Sequence, residues 1–414
     1  MIFTDNRGEL HSIKTLPFVA KEILISVNEK NVFRGLHLSP YAKYIYILDG
    51  HINDIVIDIY NNNKCAQLNL SKGESIYIPP NHAHGFFALK KSTIIYFLED
   101  TYNKELDKKI YYLSPELNID YIFLKNKDIK IKDIIISEED SLAKYYNNYK
   151  YLILGSSGFL GSNLIKYLDN YLCINTRLSN IEEIKQHIIK SNCKYVICAA
   201  GISGKPTIEW CETHEKETLE TNFIYILELM KLCNEYNVHL TIFGSGLVYT
   251  NVKNEYTEDD IPDLNTKVYT RYRINLEELI RKNIYNNILY LRIIYPCSFD
   301  DHPKCFFSKM KERAKNGSVH NVFAPLTIIP ELFPLIPNIL SCNISGILNF
   351  VNDEKIYLKD LLNLGNISCN VIEPDISNVR SEYKLNTDKL KKYGNIISVY
   401  DAAKKYLAAI PALN

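Results

Sequence analysis

The sequence predicts two domains of different class: an all-β barrel or sandwich over residues 1–143, followed by a doubly wound α/β domain over 144–414. Three observations carry this. Tyr151–Gly161, YLILGSSGFLG, reads as a buried strand running into a glycine-rich turn at the head of a helix. Before it the apolar residues recur with a period of two between tight turns, whereas after it strand and helix signals alternate to the C-terminus. A fold of the second kind starts at its own first strand, so the 150 or so preceding residues form a separate unit, and 414 residues suffice for two cores.

Composition narrows the function classes. Lys plus Arg and Asp plus Glu are equal at 48 each, so no basic stripe or acidic tail points to nucleic acid or to a polyanionic partner. A small-molecule partner is expected. The ten cysteines include no Cys-x-x-Cys pair, and MIFTDNRGEL at the N-terminus has no apolar signal region, so a reducing, cytoplasmic location is expected. No stretch approaches the roughly 20 apolar residues of a membrane span.

Within residues 1–143 the grammar is that of short strands. Ile55, Ile57 and Ile59 alternate with Asp54, Val56 and Asp58, and Asp49-Gly50 ahead of them is a hairpin signal. Asn61-Asn62-Asn63, Lys72-Gly73 and Pro79-Pro80-Asn81 mark further turns around strands such as Ser75–Ile78. Helical runs are few, so the expected architecture is antiparallel.

DNRGEL (5–10), NVFRGLHLS (31–39), GHINDIVIDI (50–59), IPPNHAHGF (78–86), IIYFLEDTY (94–102) and IIISEED (134–140) resemble, in order, the motifs of the dTDP-4-keto-6-deoxyglucose 3,5-epimerase family. That resemblance implies a cupin, or jelly-roll, fold. It also implies an enzyme that removes the protons at C3 and C5, which the C4 ketone acidifies, and returns them on the other face. On the matching positions His37 is the base and Asp140 the carboxylate that orients it. Tyr96 is the proton donor on the opposite face, Lys43 the cation that stabilises the enolate, and His84 a pocket contact. Arg7 and Arg34 match the arginines that hold the nucleotide diphosphate, a task suited to the guanidinium fork. Taken singly, a histidine on a strand or one of 31 tyrosines reads as structural; order and spacing favour the site. His82 is a departure, because with His84 it places two histidines on one strand face, the ligand grammar of metal-binding cupins. No Glu or third His follows at a matching spacing, and no metal is expected.

Ser141–Tyr149 is all that separates the two domains. So short a linker spans at most about 30 Å, which predicts neighbouring domains and a raised local concentration of any shared intermediate.

In the second domain Leu172–Asn175, Lys194–Ala199, His239–Phe243 and Leu289–Ile294 read as further strands, and Leu219, Phe223, Ile226, Met230 and Cys233 trace one helix face. Gly155, Gly158 and Gly161, with Ser157 and Phe159 among them, suit close passage of a pyrophosphate at a helix N-terminus; an ordinary βα turn is the alternative. Ala199, Ala200 and Gly201, ending the third strand, belong to the same expected dinucleotide site. About 20 residues beyond Gly155, where an acid would grip the ribose of NAD, stand Asn175 and then Arg177. Arg177 would take a 2′-phosphate, so NADPH is favoured over NADH; a plain surface arginine fits the residue as well.

Ser245, Tyr269 and Arg273, the last two at i and i+4, look like the Ser/Thr, Tyr and Lys of the extended short-chain dehydrogenase/reductases, a Rossmann-fold superfamily. The resemblance implies that Tyr269 protonates the C4 oxygen as hydride arrives from the nicotinamide, with the neighbouring cation lowering the tyrosine pKa. Arg273 departs from the lysine of that pattern. More narrowly, AAGISGKPTIEWCETHEKETLETN (199–222), LTIFGSGLVY (240–249), VYTRYRINLEELI (268–280), PLTIIPELFP (325–334), SGILNFVND (345–353) and SEYKLNTDKLKK (381–392) resemble the nucleotide-rhamnose synthase reductases. These unite epimerase and reductase activity in one domain. Trp210 matches a substrate-binding position there, although a core role suits it equally. Lys309 keeps the family's second epimerase group, but Leu247 stands where the family has a cysteine. Leucine cannot move a proton, so epimerisation is expected of the first domain and reduction of the second.

The expected protein is thus a bifunctional 3,5-epimerase, or 3-epimerase, and NADPH-dependent 4-reductase of a UDP- or dTDP-4-keto-6-deoxyhexose, giving a nucleotide-6-deoxy-L-hexose such as L-rhamnose. A homodimer is expected. The alternatives are a 2-acetamido substrate with one inverted centre, or a nucleotide-sugar-binding protein with an inactive reductase.

Overall fold

A computed structural model describes residues 2–13, 15–125, 128–204, 207–250, 252–372 and 383–408. Lys205-Pro206 of the 199–222 motif and Ser381-Glu382 of the 381–392 motif lie outside them. The chain divides into two compact units, residues 1–148 with 189–192, and residues 149–188 with 193–414. Among the described residues no helix is long and apolar enough to cross a membrane.

The first unit opens with a hairpin of β1 (Ile2–Asp5) and β2 (Gly8–His11). Nine strands follow: β3 (Glu22–Asn28), β4 (Phe33–Leu38), β5 (Lys43–Asp49), β6 (His51–Asp58), β7 (Lys64–Ser71), β8 (Ser75–Ile78), β9 (Ala83–Ala88), β10 (Ser92–Leu98) and β11 (Lys108–Lys109). They form two antiparallel sheets, in the orders β3-β10-β5-β8 and β11-β4-β9-β6-β7. The β5–β6 turn needs its glycine: Gly50 has φ +98°, and a Cβ there would lie 2.4 Å from the Lys91 carbonyl. Asn62 and Asn63 hold positive φ in the next turn, which asparagine tolerates better than most residues.

The alternation along β6 does not separate a dry face from a wet one, as a period of two normally would. Ile52 through Ile57 are all buried. Ile52 and Val56 join Ile45, Ile47, Phe86 and Ile94 between the two sheets. Ile55 and Ile57 on the other face pack with Phe33, Phe87, Tyr112, Tyr121 and Phe123, so the chain beyond β11 covers the outside of this sheet. Phe87 and Phe123 stack with ring centroids 4.3 Å apart. Asp54 therefore points into an apolar interior, where a carboxylate needs partners.

The second unit is built on six parallel strands in the order Tyr171–Ile174, Tyr151–Leu154, Tyr195–Cys198, His239–Ser245, Ile288–Ile293 and Gly346–Asn349. The strand order reverses beside Tyr151–Leu154, which pairs with both of its neighbours in parallel register. In doubly wound sheets ligands bind at such a point, beyond the carboxyl ends of the strands. The expected strands are all present. The expected helical stripe lies on Glu215–Leu219 and Tyr225–Glu235, joined by a π-helical segment, Glu220–Ile224. Helix Val268–Arg281 is fastened to the sheet by Glu277, whose Oε2 accepts from Arg292 Nε at 2.9 Å; both side chains are buried.

Candidate active sites

In the first unit, β4 and β9 set His37 opposite His84, and β6 sets Val56 opposite His84. His84 Nε2 lies 2.9 Å from Asp54 Oδ1, so the buried carboxylate of β6 has its partner. Oδ2 of Asp54 is buried with no hydrogen-bond partner. His37 stands between two acids: Nδ1 is 2.9 Å from Asp107 Oδ2 and Nε2 is 2.9 Å from Asp140 Oδ1. Asp140 is presented by a short helix, Glu138–Ser141, capped by Ser137, whose hydroxyl accepts from the Asp140 amide. Ser39 Oγ donates to Asp107 Oδ1, and Lys43 Nζ lies 3.8 Å from the same oxygen.

Burial alone would make His37 a weaker base, but its contacts with Asp107 and Asp140 prevail and hold its pKa above the ordinary value. Burial would raise both acids, and the contact with His37 prevails there too, keeping Asp107 and Asp140 below the usual carboxylate range. Burial lowers the pKa of Lys43, with Asp107 only partly opposing it.

Tyr96 on β10 faces the interior between the sheets, its hydroxyl accepting from Ser26 Oγ at 3.4 Å. Burial pushes its phenol up to about 12, opposed by the Ser26 hydrogen bond and the charge of Arg34. Such a group keeps its proton at neutral pH and can donate it. Arg34 Nε donates to Asn28 Oδ1 at 2.5 Å. Arg7 is not brought to this cluster: its exposed guanidinium pairs with Asp5 in the β1–β2 hairpin. His82 precedes β9, approaching the Pro80 carbonyl at 3.1 Å and Asp58 at 3.8 Å, and so serves a different carboxylate from His84. Among the described residues no group of three or more His, Cys, Asp or Glu side chains is arranged to hold a metal ion.

In the second unit, the turn after Tyr151–Leu154 is as tight as its glycines imply. Gly155 has φ +75°, and a Cβ there would lie 2.6 Å from the Ala200 amide, so this turn and Ala199-Ala200 press together. A Cβ on Gly161 would lie 2.2 Å from the Gly155 carbonyl, which brings the helix hard against the turn. Gly158 caps helix Phe159–Leu164, Ser157 is exposed beside it, and Phe159 stacks on His302 with centroids 4.8 Å apart. Arg177 is exposed just past the end of the neighbouring strand, Tyr171–Ile174.

Ser245 ends its strand, with its hydroxyl accepting from the Leu247 amide at 3.2 Å. Leu247 itself packs against an apolar cluster that includes Val248, Tyr249 and Tyr383. Tyr269 and Arg273 share a face of helix Val268–Arg281, and the guanidinium carbon lies 5.4 Å from the tyrosine ring centroid. Arg273 is buried; Nη2 donates to Asn222 Oδ1 at 3.3 Å, while Nε has no hydrogen-bond partner. Asn222 also accepts from the Ile202 amide and donates to its carbonyl, tying the π-helical segment to the chain beyond Gly201. Trp210 stacks on His214 at 3.9 Å and packs, with Tyr269, against Cys211, Val268 and Tyr272. Lys309 lies on the exposed side of helix Phe306–Asn316, with Lys304 and Arg313 as charged neighbours.

Two polar groups of these sites escaped sequence reasoning. Asp107 lies in a charged run, NKELDKK, in which no periodicity distinguishes one acid from another. Asn222 closes a motif singled out for its tryptophan, and it is the buried residue of the π-helical segment.

Residues 2–148 match the dTDP-4-dehydrorhamnose 3,5-epimerase family, and residues 151–297 match the NAD dependent epimerase/dehydratase family. A trifunctional UDP-glucose 4,6-dehydratase/UDP-4-keto-6-deoxy-D-glucose 3,5-epimerase/UDP-4-keto-L-rhamnose-reductase of Arabidopsis thaliana is 26% identical over 307 residues, 68% of this chain and 45% of that protein. The chain thus spans under half the length of that relative. A bifunctional dTDP-4-dehydrorhamnose 3,5-epimerase/dTDP-4-dehydrorhamnose reductase of the same plant is 27% identical over 230 residues, 53% of this chain and 75% of that protein. The crystal structure of a UDP-rhamnose synthase from Acanthamoeba polyphaga mimivirus superposes with a TM-score of 0.57 at 22% identity, covering 64% of this chain and all of that one, a likeness of fold. The first unit resembles the 3,5-epimerases and the second the reductases of nucleotide-rhamnose synthesis.

Proposed function

We propose that this chain is a bifunctional nucleotide-sugar enzyme, its first unit a 3,5-epimerase of a UDP- or dTDP-4-keto-6-deoxyhexose and its second an NADPH-dependent 4-reductase. The observation that carries the reading is the pair of proton-transfer centres on one chain: His37 held by carboxylates beside Lys43 in one unit, and Tyr269 with Arg273 beside Ser245 in the other. The C4 ketone acidifies C3 and C5, and reduction removes that ketone. Epimerisation therefore precedes reduction, and the product is a nucleotide-6-deoxy-L-hexose of the rhamnose type.

In the first unit neutral His37 takes the proton from carbon and Tyr96 returns one to the opposite face. Lys43 stabilises the enolate oxygen. Arg34, with Arg7, holds the diphosphate, and the unpartnered Asp54 oxygen beside His84 is a polar group that a sugar hydroxyl would satisfy. Leu247 leaves the second unit without the proton-moving cysteine of the related reductases, which supports epimerisation by the first.

The second unit fits a dinucleotide. Gly155, Gly158 and Gly161 allow a close backbone approach at a helix end, Ala199 and Ala200 lie against Gly155 with Gly201 next in the chain, and Arg177 suits a 2′-phosphate. NADPH bound there would supply hydride to C4. Tyr269 protonates the C4 oxygen, Ser245 orients it, and Arg273 keeps a positive charge beside the tyrosine.

A homodimer accords with edge strand β3, which exposes Ile23, Ile25 and Val27 by 58%, 66% and 58%. Arg7, remote from the His37 cluster of its own chain, would serve a partner's site. Ten free thiols suit a cytoplasmic location.

The test is incubation with UDP-4-keto-6-deoxyglucose in deuterium oxide, without and then with NADPH, followed by NMR of the ring protons. Exchange at C3 and C5 without cofactor, then NADPH-dependent formation of UDP-L-rhamnose, is expected. Absence of both exchange and NADPH oxidation, with the dTDP sugar as well, would refute the reading.

A further inference from the structure

We propose that Tyr290 is a positioning residue of the second centre: its hydroxyl, seated over the bare backbone of Gly244, accepts from the Ser245 amide and so holds the Ser245 side chain at the reacting oxygen. This rests on the reductase reading and goes beyond it, since that chemistry asks for a serine, a tyrosine and a cation and leaves open what fixes the serine.

The need for such a residue comes from the end of a strand. His239–Ser245 runs beside Tyr195–Cys198, but that ladder stops at the pair of Cys198 and Ile242. On the other side the Gly246 amide donates to the Ile293 carbonyl at 2.9 Å. Direction alternates along a strand, so the Ser245 amide is turned away from Ile293, towards a neighbour that has already ended. A buried N–H without an acceptor is costly. Tyr290 supplies the acceptor: the Ser245 amide donates to its hydroxyl at 3.3 Å.

The ring reaches that place because residue 244 has no side chain. Tyr290 stands opposite Ile242, and Arg292, two residues on, stands opposite Gly244, so Tyr290 and Gly244 share a face of the sheet. A Cβ on Gly244 would lie 2.0 Å from Tyr290 Cζ and 2.5 Å from its hydroxyl oxygen. The φ of Gly244 is not positive, so this glycine supplies space and not an unusual backbone conformation. Tyr290 is fully buried. Burial pushes its phenol up, opposed by the charge of Arg273, so the hydroxyl stays neutral and leaves proton transfer to Tyr269. Packing asks only for the ring, which a phenylalanine would supply; the hydroxyl answers to the Ser245 amide.

The experiment uses the full chain, with NADPH added after UDP-4-keto-6-deoxyglucose has been epimerised. Tyr290→Phe is expected to lower kcat for NADPH oxidation about tenfold or more, with KM for NADPH unmoved. In a Ser245→Ala background the same change should cost less than about twofold, because a residue that acts through Ser245 has nothing left to position. An undiminished kcat, or an equal loss in both backgrounds, overturns the proposal. Amide hydrogen exchange followed by NMR reads the contact itself. The Ser245 amide should exchange slowly in the native protein and about tenfold faster in Tyr290→Phe, while the amides of residues 241–243 keep their rates. Rapid exchange of the Ser245 amide in the native chain overturns the proposal whether or not the variant folds. No NADPH oxidation by the native protein would refute the reductase reading, while the amide exchange would still decide whether Tyr290 holds Ser245.

Discussion

Gly201 and Arg273 are a matched pair: a Cβ on residue 201 would lie 2.9 Å from Arg273 Nη2, inside van der Waals contact. An arginine is longer than the lysine that related reductases carry, and the missing side chain at 201 makes room for its guanidinium. The same guanidinium reaches Asn222 in the π-helical segment. Arginine is therefore accommodated at this position, although its fork and bulk differ from those of an ammonium.

From that fit, Gly201→Ala should displace Arg273 and lower NADPH-dependent reduction at least about tenfold, the loss typical of a misplaced catalytic group. Deuterium exchange by the first unit should be unaffected. Reduction at the native rate in the alanine variant would show that Arg273 does not need its observed place.

His37→Ala should lower exchange at C3 and C5 by about 10²–10⁴, while a substrate already epimerised is still reduced. Lys309→Ala should leave exchange intact. If Lys309→Ala abolishes exchange and His37→Ala spares it, the division of labour is reversed. Steady-state exchange by NMR, with NADPH oxidation as the second readout, separates these outcomes.

Tyr96→Phe should reduce proton return more than proton removal, because the phenol, with its pKa pushed up to about 12, is a donor rather than a base at neutral pH. The expected sign is wash-in of deuterium at C3 or C5 with retained configuration. Inversion at the native rate would remove Tyr96 from the mechanism.

The His37 cluster should make stability depend on pH in both directions. Asp107 and Asp140 are held below their ordinary 3.8, so their contribution is present above that value and lost as pH falls through the folded values. His37 is held above its ordinary 6.5, so its contribution is complete below 6.5 and lost as pH rises through the folded value. The cluster therefore stabilises most between about 4 and 6.5. Thermal melts extending to either side of that range should show both slopes flattened by Asp107→Asn.

Phe123→Ala should destabilise the first unit by about 3–5 kcal/mol, the usual cost of emptying an aromatic core site, since the ring stacks on Phe87 against the outer face of β6. Urea unfolding of the full chain, read by a probe in the first unit, measures this.

Much of the molecule was legible from local chemistry. The turn at Gly155–Gly161, the parallel strands after it and the hairpin at Asp49-Gly50 follow from φ requirements and apolar periodicity, which act within a few residues. The order of the epimerase motifs along residues 5–140 likewise marked His37, Asp140, Lys43 and Tyr96. Local pattern failed along β6, where burial of the outer face depends on Tyr121 and Phe123, more than 60 residues away in sequence.

The sequence by itself determined two fold classes on one chain, the glycine turn, and the residue types from which both centres are made, because each reflects short-range sterics or side-chain chemistry. Only the tertiary structure decided that Asp107, rather than any other acid of its charged run, meets Nδ1 of His37, that Asn222 turns inward, and that Gly201 makes room for Arg273. Those contacts join residues far apart in the chain, and an electrostatic or steric partner is defined by distances of a few ångströms, which spacing in sequence does not encode.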